Sequence, residues 1–288
     1  MVTNKVKMRL QGHEKFVLRE GWINKALMII PNAPDVFTKK NATDLFGMGN
    51  NMVKSLRYWM KAFGLTTYNS TDGTQLTPIG QLIAKYDPYL EKYFTLWIMH
   101  SCIAKNKEEA TTWYMYFNHC DADELEKKEI EAIVLREVEK YAQGKKFSER
   151  SLNNDIDTIL NMYSKNKENV DPEEKNICPF TSLGLVKNTD GKYAKCHPSK
   201  KIFSEMIVLY ELALLEKRGN GISIEDVIFG DNGLVNIYNL TSVMVNEILD
   251  KLDDAGYIKV DRTAGLDMIY FIREIESTEV IEEYYRNY

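Results

Sequence analysis

No stretch of this 288-residue chain stays apolar long enough to cross a membrane. Its first sixteen residues, MVTNKVKMRLQGHEKF, are polar and lack the apolar core of a signal peptide. The cytoplasm is therefore the expected location. Cysteine is scarce: Cys102, Cys120, Cys178 and Cys196, with no CxxC pair. Thiols so spaced fit a reducing compartment and argue against a redox centre or a sulfur carrier. His119-Cys120, Cys178 and Cys196-His197 never place two ligands two to four residues apart, so no metal site is expected. GxxxxGK[ST] and GxGxxG loops are absent, so any ATP-dependent work falls to a partner. There is no tandem repeat and no low-complexity tract.

What is present describes a globular protein. Hydrophobic residues make up 44% of the chain and charged residues 27%, ordinary values for a chain of two or three small domains. The net charge of −5 hides an asymmetry. Residues 1–70 hold eleven Lys and Arg against four Asp and Glu, a net +7. The remainder carries −12. A basic N-terminal part on an acidic body keeps a local field that attracts polyanions, while the body faces something else.

The basic part contains the most informative segment, residues 37–83. A short helix over 41–46 ends at Gly47, and Met48-Gly49 turns the chain. A longer helix over 50–63 closes at Gly64. Two strands, 65–68 and 75–77, follow around Asp72-Gly73. That order predicts a winged helix-turn-helix, which places one helix in a DNA groove. On the longer helix Val53, Leu56, Met60 and Phe63 share an apolar face flanked by Met52 and Trp59. The opposite face carries Asn51, Lys54, Ser55, Tyr58 and Lys61, with Arg57 on its flank. All can donate hydrogen bonds and none is acidic, as contact with bases and phosphates requires. Lys40 and Asn50 complete the expected DNA-contacting set. An ordinary solvated face, or a protein-binding helix-turn-helix, is the alternative.

Upstream, residues 12–30 form a first helix through Trp22, Ile23, Ala26, Leu27 and Ile30, stopped by Pro31 and Pro34. Residues 87–165 read as helical, including a charged amphipathic helix over 121–143 and another N-capped by Ser148. A polar loop spans 166–176, and 182–196 reads as two short strands. From 202 the opening order recurs: helix 203–217, short helix 223–229, long helix 242–255, then strands 257–260 and 268–272 turned at Ala264-Gly265. Here the long helix exposes Glu247, Asp250, Asp253 and Asp254 against Lys251, which repels phosphate and suits a protein partner. The acidic, tyrosine-rich tail reads as a solvated helix or a docking segment. The expected fold class is thus mainly α. It comprises a winged helix-turn-helix (10–85), a helical middle domain with a β-hairpin (86–200) and an acidic winged-helix-like domain (201–288).

Six blocks occur in order: GHEKFVLREGWINKAL, LFGMGNNMVKSLRYWMKAFGL, LTPIGQLIAKYDPYLEKYFTLWIMH, ATTWYMYFN, SLNNDIDTILNMY and CPFTSLGLV. Together, over roughly residues 10–275, they resemble the bacterial family called domain of unknown function 4007. The resemblance implies a part in DNA phosphorothioation islands, which encode a cysteine desulfurase, a PAPS-reductase-like ATP pyrophosphatase and ATPases. It also implies a phage-defence or restriction-modification role, in some members as a DNA-nicking subunit. The partners implied are double-stranded DNA and ATPase or sulfur-transfer proteins of that system, with a homodimer left open. The family commonly has a basic residue where this chain has Asn50, so one charge is missing at the start of the long helix. The opening motif survives as His13, Glu14, Phe16, Arg19, Gly21 and Trp22.

Three functions stand side by side: a DNA-binding subunit, a metal-dependent nicking endonuclease, and a non-catalytic adaptor. A nickase needs carboxylates or a histidine to position a divalent metal or activate water. His13-Glu14 and Asp155-x-Asp157 are the candidates, giving Glu14, Asp155 and Asp157 as potential catalytic acids. Residues one or two apart point in different directions, so neither pair makes a metal site by itself. Pairing of Glu14 with Arg19, and Asp155 as a surface charge, are the plain alternatives. No cofactor is expected apart from that divalent metal.

Overall fold

The computed structural model describes residues 6–164, 178–215, 221–265 and 267–288. These form two compact units, Met1–Cys196 and His197–Tyr288. Each is mainly helical with small antiparallel sheets.

In the first unit an irregular opening leads to α1 (Trp22–Ile29), which Gly21 introduces at a φ of 77°. That left-handed conformation suits a glycine. Pro31 converts the end of the helix into a 3-10 turn. Next come α2 (Ala42–Phe46), closed by left-handed Gly47, and α3 (Asn50–Ala62). A hairpin follows, β1 (Thr66–Asn69) and β2 (Gly73–Leu76), with Thr66 opposite Leu76. The Asn69 carboxamide oxygen accepts from the backbone N–H groups of Thr71 and Asp72, which shapes the turn. Helix α4 (Pro78–Tyr86) starts at Thr77, whose hydroxyl accepts from the Gly80 N–H. From α2 to β2 these elements lie within a residue or two of where the sequence places them. The first helix, expected over 12–30, begins only at Trp22, because an irregular segment and Gly21 in a left-handed conformation precede it.

The rest of this unit comprises α5 (Tyr93–Ala104), α6 (Thr111–His119), β3 (Leu125–Glu126), α7 (Lys127–Ala142), α8 (Glu149–Ser164), β4 (Val186–Thr189) and β5 (Lys192–Lys195). Helix α5 is apolar almost all round and buried along nearly its whole length. Aromatic rings join α3 to this helical part. Phe63 stacks on Phe180 at 5.2 Å, and Trp59 meets Trp113 edge-on at 5.6 Å. One difference from expectation concerns the helix read from Asp121, which begins only at Lys127. Leu125 and Glu126 instead pair with Tyr193 and Lys192, adding a third strand to the hairpin in the order β3-β5-β4. Glu126 then caps α7 through a reciprocal box with Glu129, a local signal that outweighs helix propensity upstream.

The second unit contains α9 (Glu205–Leu215), β6 (Ile222–Ser223), α10 (Ile224–Phe229), α11 (Leu234–Tyr238), α12 (Ser242–Asp254), β7 (Ile258–Asp261), β8 (Met268–Phe271) and α13 (Ser277–Asn287). Its sheet runs β6-β8-β7. The expected ends of the helix at 216–217, and the polar loop at 166–176, lie outside the described residues. Helix α11 has no counterpart in the sequence reading, because five residues are too few to show a helical period. The tail is the expected helix, but one face of it is buried. As α13 it packs on α9 and buries Val280, Ile281 and Tyr285.

Candidate functional site

Helix α3 buries Val53, Leu56, Trp59 and Met60, which turns its polar side outward. That side, the β1–β2 hairpin and the loop around Gly12 enclose a groove of about 520 Å³. Arg9, Lys39, Lys54, Arg57 and Lys61 line it, and Glu14 is the one acidic side chain in its wall. Among the expected DNA-contacting residues, Asn50, Lys54, Arg57, Tyr58 and Lys61 reach the groove. Asn51 is exposed beside it, with its carboxamide oxygen 3.3 Å from the Lys54 ammonium. Lys40 is exposed but does not line the groove.

The polar face is narrower than the sequence suggests. Ser55 and Tyr58 are buried, not exposed. Tyr58 forms the groove floor, and the opening loop covers its ring. The Arg9 guanidinium lies over that ring at 5.1 Å, and a Cβ on Gly12 would fall 2.3 Å from Tyr58 Cδ2. Only a glycine allows this approach. Burial, with the nearby Asp155 charge, pushes the Tyr58 hydroxyl well above its usual range and keeps it neutral.

The cations are held by neighbouring side chains. The Arg57 guanidinium lies 5.3 Å from the centre of the Tyr68 ring. Lys39 pairs with Asp35 at 2.9 Å. Arg9 and Lys61 both donate to Glu109, at 3.0 and 2.6 Å. Burial alone raises the Glu109 carboxyl, but the hydrogen bonds from Lys61 and Arg9 outweigh it and hold the acid below its usual value.

Beneath the loop lies the opening motif. The His13 ring is wholly buried, with Nε2 2.8 Å from Asp155 Oδ1. The same oxygen accepts from the Gln11 N–H at 2.8 Å, and Oδ2 accepts from the Thr112 hydroxyl at 2.6 Å. Trp59 stacks on His13, and Trp113 meets it edge-on, each at 5.8 Å. Asp155 is therefore a buried hydrogen-bonding hub and no surface charge. Asp157 is half-exposed and paired with Lys127. Glu14 faces the groove, so the structure does not bring the three proposed acids together. Among the described residues, no group of three or more His, Cys, Asp or Glu could hold a metal ion. Of the three proposed acids only Glu14 lines the groove, so together they do not make one metal-binding donor set.

Arg9, Lys39, Tyr68 and Glu109 escaped the sequence reading. Glu109 comes from a loop some hundred residues beyond Arg9 and carries no local signal. The basic bias of residues 1–70 could have pointed to Arg9 and Lys39.

In the second unit the acids of α12 are largely neutralised in place. Glu247 pairs with Lys200 at 2.7 Å, Asp250 with Arg262 at 2.8 Å and Asp253 with Lys259 at 3.2 Å.

No curated protein matches this chain. Two crystal structures of SspB are similar. One, with bound magnesium ion, gives a TM-score of 0.81 at 23% identity. The other gives 0.82 at 24%. Each alignment covers 96% of this chain and 88% of the other. At such identities the likeness is one of fold. A family model described as protein of unknown function (DUF4007) matches residues 10–285, and the chain belongs to that family.

Proposed function

We propose that this protein is the DNA-binding component of a bacterial modification or defence system associated with DNA phosphorothioation. In this reading α1, α2, α3 and the β1–β2 hairpin act as a winged helix-turn-helix, and duplex DNA enters the groove beside α3. The groove's charge carries the proposal: five cationic side chains line it against one carboxylate. Lys54, Arg57 and Lys61 follow one side of α3 and suit phosphates, while Asn50 and Asn51 at its start suit base edges. The N-terminus of α3 adds its partial positive charge. Family membership supports the setting, in which ATPase or sulfur-transfer proteins are the partners. The second unit, whose α12 pairs its acids with neighbouring Lys and Arg instead of presenting a cationic groove, is the part that meets them.

Binding of a labelled duplex across a salt series tests this reading. Lys54→Glu/Arg57→Glu is expected to weaken binding about 100-fold or more near 0.1 M salt. The slope of log K against log salt should shrink by about 1.8, two phosphate contacts' worth. Neither side chain pairs with a carboxylate among the described residues, so the fold should survive. A double variant that binds like the wild type would sink the groove as the DNA site.

Nicking is the second reading, favoured by one observation: Glu14 stands in the groove wall. Under it, magnesium-dependent conversion of supercoiled plasmid to open circle is abolished by Glu14→Gln. Nicking that persists in this variant would remove Glu14 from the chemistry.

A further inference from the structure

One acid in this region is unlike the rest. Glu109 receives Arg9 on one carboxylate oxygen and Lys61 on the other, so it engages two of the groove's five cations. Its place is fixed by the backbone. The Glu109 N–H donates to the Asn106 carboxamide oxygen at 3.0 Å, and the Asn106 side chain donates to the Ala62 carbonyl, near the end of α3, at 3.2 Å. Arg9 is fixed as well, since its N–H donates to the Thr111 hydroxyl at 3.0 Å and its guanidinium rests on Tyr58. A carboxylate bridging a guanidinium and an ammonium has the charge and oxygen spacing of a bound phosphate edge. We infer that Arg9 and Lys61 form a phosphodiester subsite of the groove, and that Glu109 is its built-in competitor, setting how tightly the groove holds DNA.

The inference rests on the groove as the DNA site and adds a specific limit to its affinity. Glu109 has two opposing effects. It orders both cations, which favours a ligand, and it neutralises them, which disfavours an anion. The Tyr58 ring still orders Arg9 without it, and glutamine keeps an acceptor oxygen. Charge therefore decides the sign. Removing one unit charge about 6 Å from a phosphate in a partly screened groove corresponds to about a tenfold change in binding.

The test compares the wild type, Glu109→Gln, Glu108→Gln and Arg9→Gln/Glu109→Gln on one labelled duplex across a salt series. Glu108 is the control, because it carries the same charge one residue away and pairs with the exposed Lys7 at 3.4 Å. Glu109→Gln is expected to bind about tenfold tighter near 0.1 M salt, with a slope steeper by about 0.9. Glu108→Gln should stay within about twofold of the wild type. Adding Arg9→Gln should remove most of the gain, because the two residues share one site. Wild-type binding with an unchanged Glu109→Gln, or an equal gain from Glu108→Gln, would overturn the inference and leave the groove standing. No binding by any of the four proteins would overturn both.

Discussion

Replacing Asp155 with alanine is expected to destabilise the protein by about 3–5 kcal/mol, the scale for breaking a buried hydrogen-bonded charge. Its side chain is 1% exposed and accepts from His13, Gln11 and Thr112. Alanine removes the acceptor from the buried His13 and Thr112 donors and from the part-buried Gln11 N–H, and each buried orphan costs about 1–3 kcal/mol. The damage should reach the groove. Gln11, Glu14 and Lys15 adopt left-handed backbone conformations, with φ of 55°, 50° and 65°. Such residues are held only where surrounding bonds over-determine them. Without Asp155 the loop is free to relax, and Arg9 and Glu14 move with it. Urea unfolding measures the loss, and duplex binding reads the loosened loop. A loss below about 1 kcal/mol would contradict the structural role and return Asp155 to the catalytic candidates.

Trp59→Ala should be about as severe, at 3–5 kcal/mol. Trp59 is fully buried on α3 between four rings: His13, Tyr58, Phe63 and Trp113. It fixes the rotation of α3, and so which side chains face the groove. Trp59→Phe separates packing from hydrogen bonding. The indole N–H is buried with no partner among the described residues, so phenylalanine forfeits none of their bonds and sheds a desolvated donor. About 1–2 kcal/mol is expected, from the lost volume alone. Thermal and urea unfolding of both variants provide the measurement. A phenylalanine variant as unstable as the alanine one would show that the indole N–H matters after all.

The elements that carry the groove were legible from local pattern. Gly47 and Gly64 bracket α3, and the Val53-Leu56-Met60 stripe gives its buried side. Charge counting placed the basic region. What stayed hidden depends on distant segments. Ser55 and Tyr58 look exposed on a helical wheel, because nothing near them reveals that the loop at 9–14 lies over Tyr58. Asp155 resembles a surface acid on an amphipathic helix, since its partners His13 and Thr112 come from elsewhere in the chain. Glu109 follows the same logic, as a pairing across some hundred residues leaves no period to read. The third strand at 125–126 was hidden because two residues in an acidic run carry no alternation.

The ring cluster beneath the groove has an optical consequence. Of the chain's four tryptophans, Trp59 and Trp113 flank His13 and touch each other. Tyr58, whose ring floors the groove, meets Trp59 at 5.0 Å. Trp59 thus lies one side chain away from whatever enters the groove, and Trp113 one ring further in. The protein carries its own fluorophores at the site of interest, so occupancy can be followed in unlabelled protein.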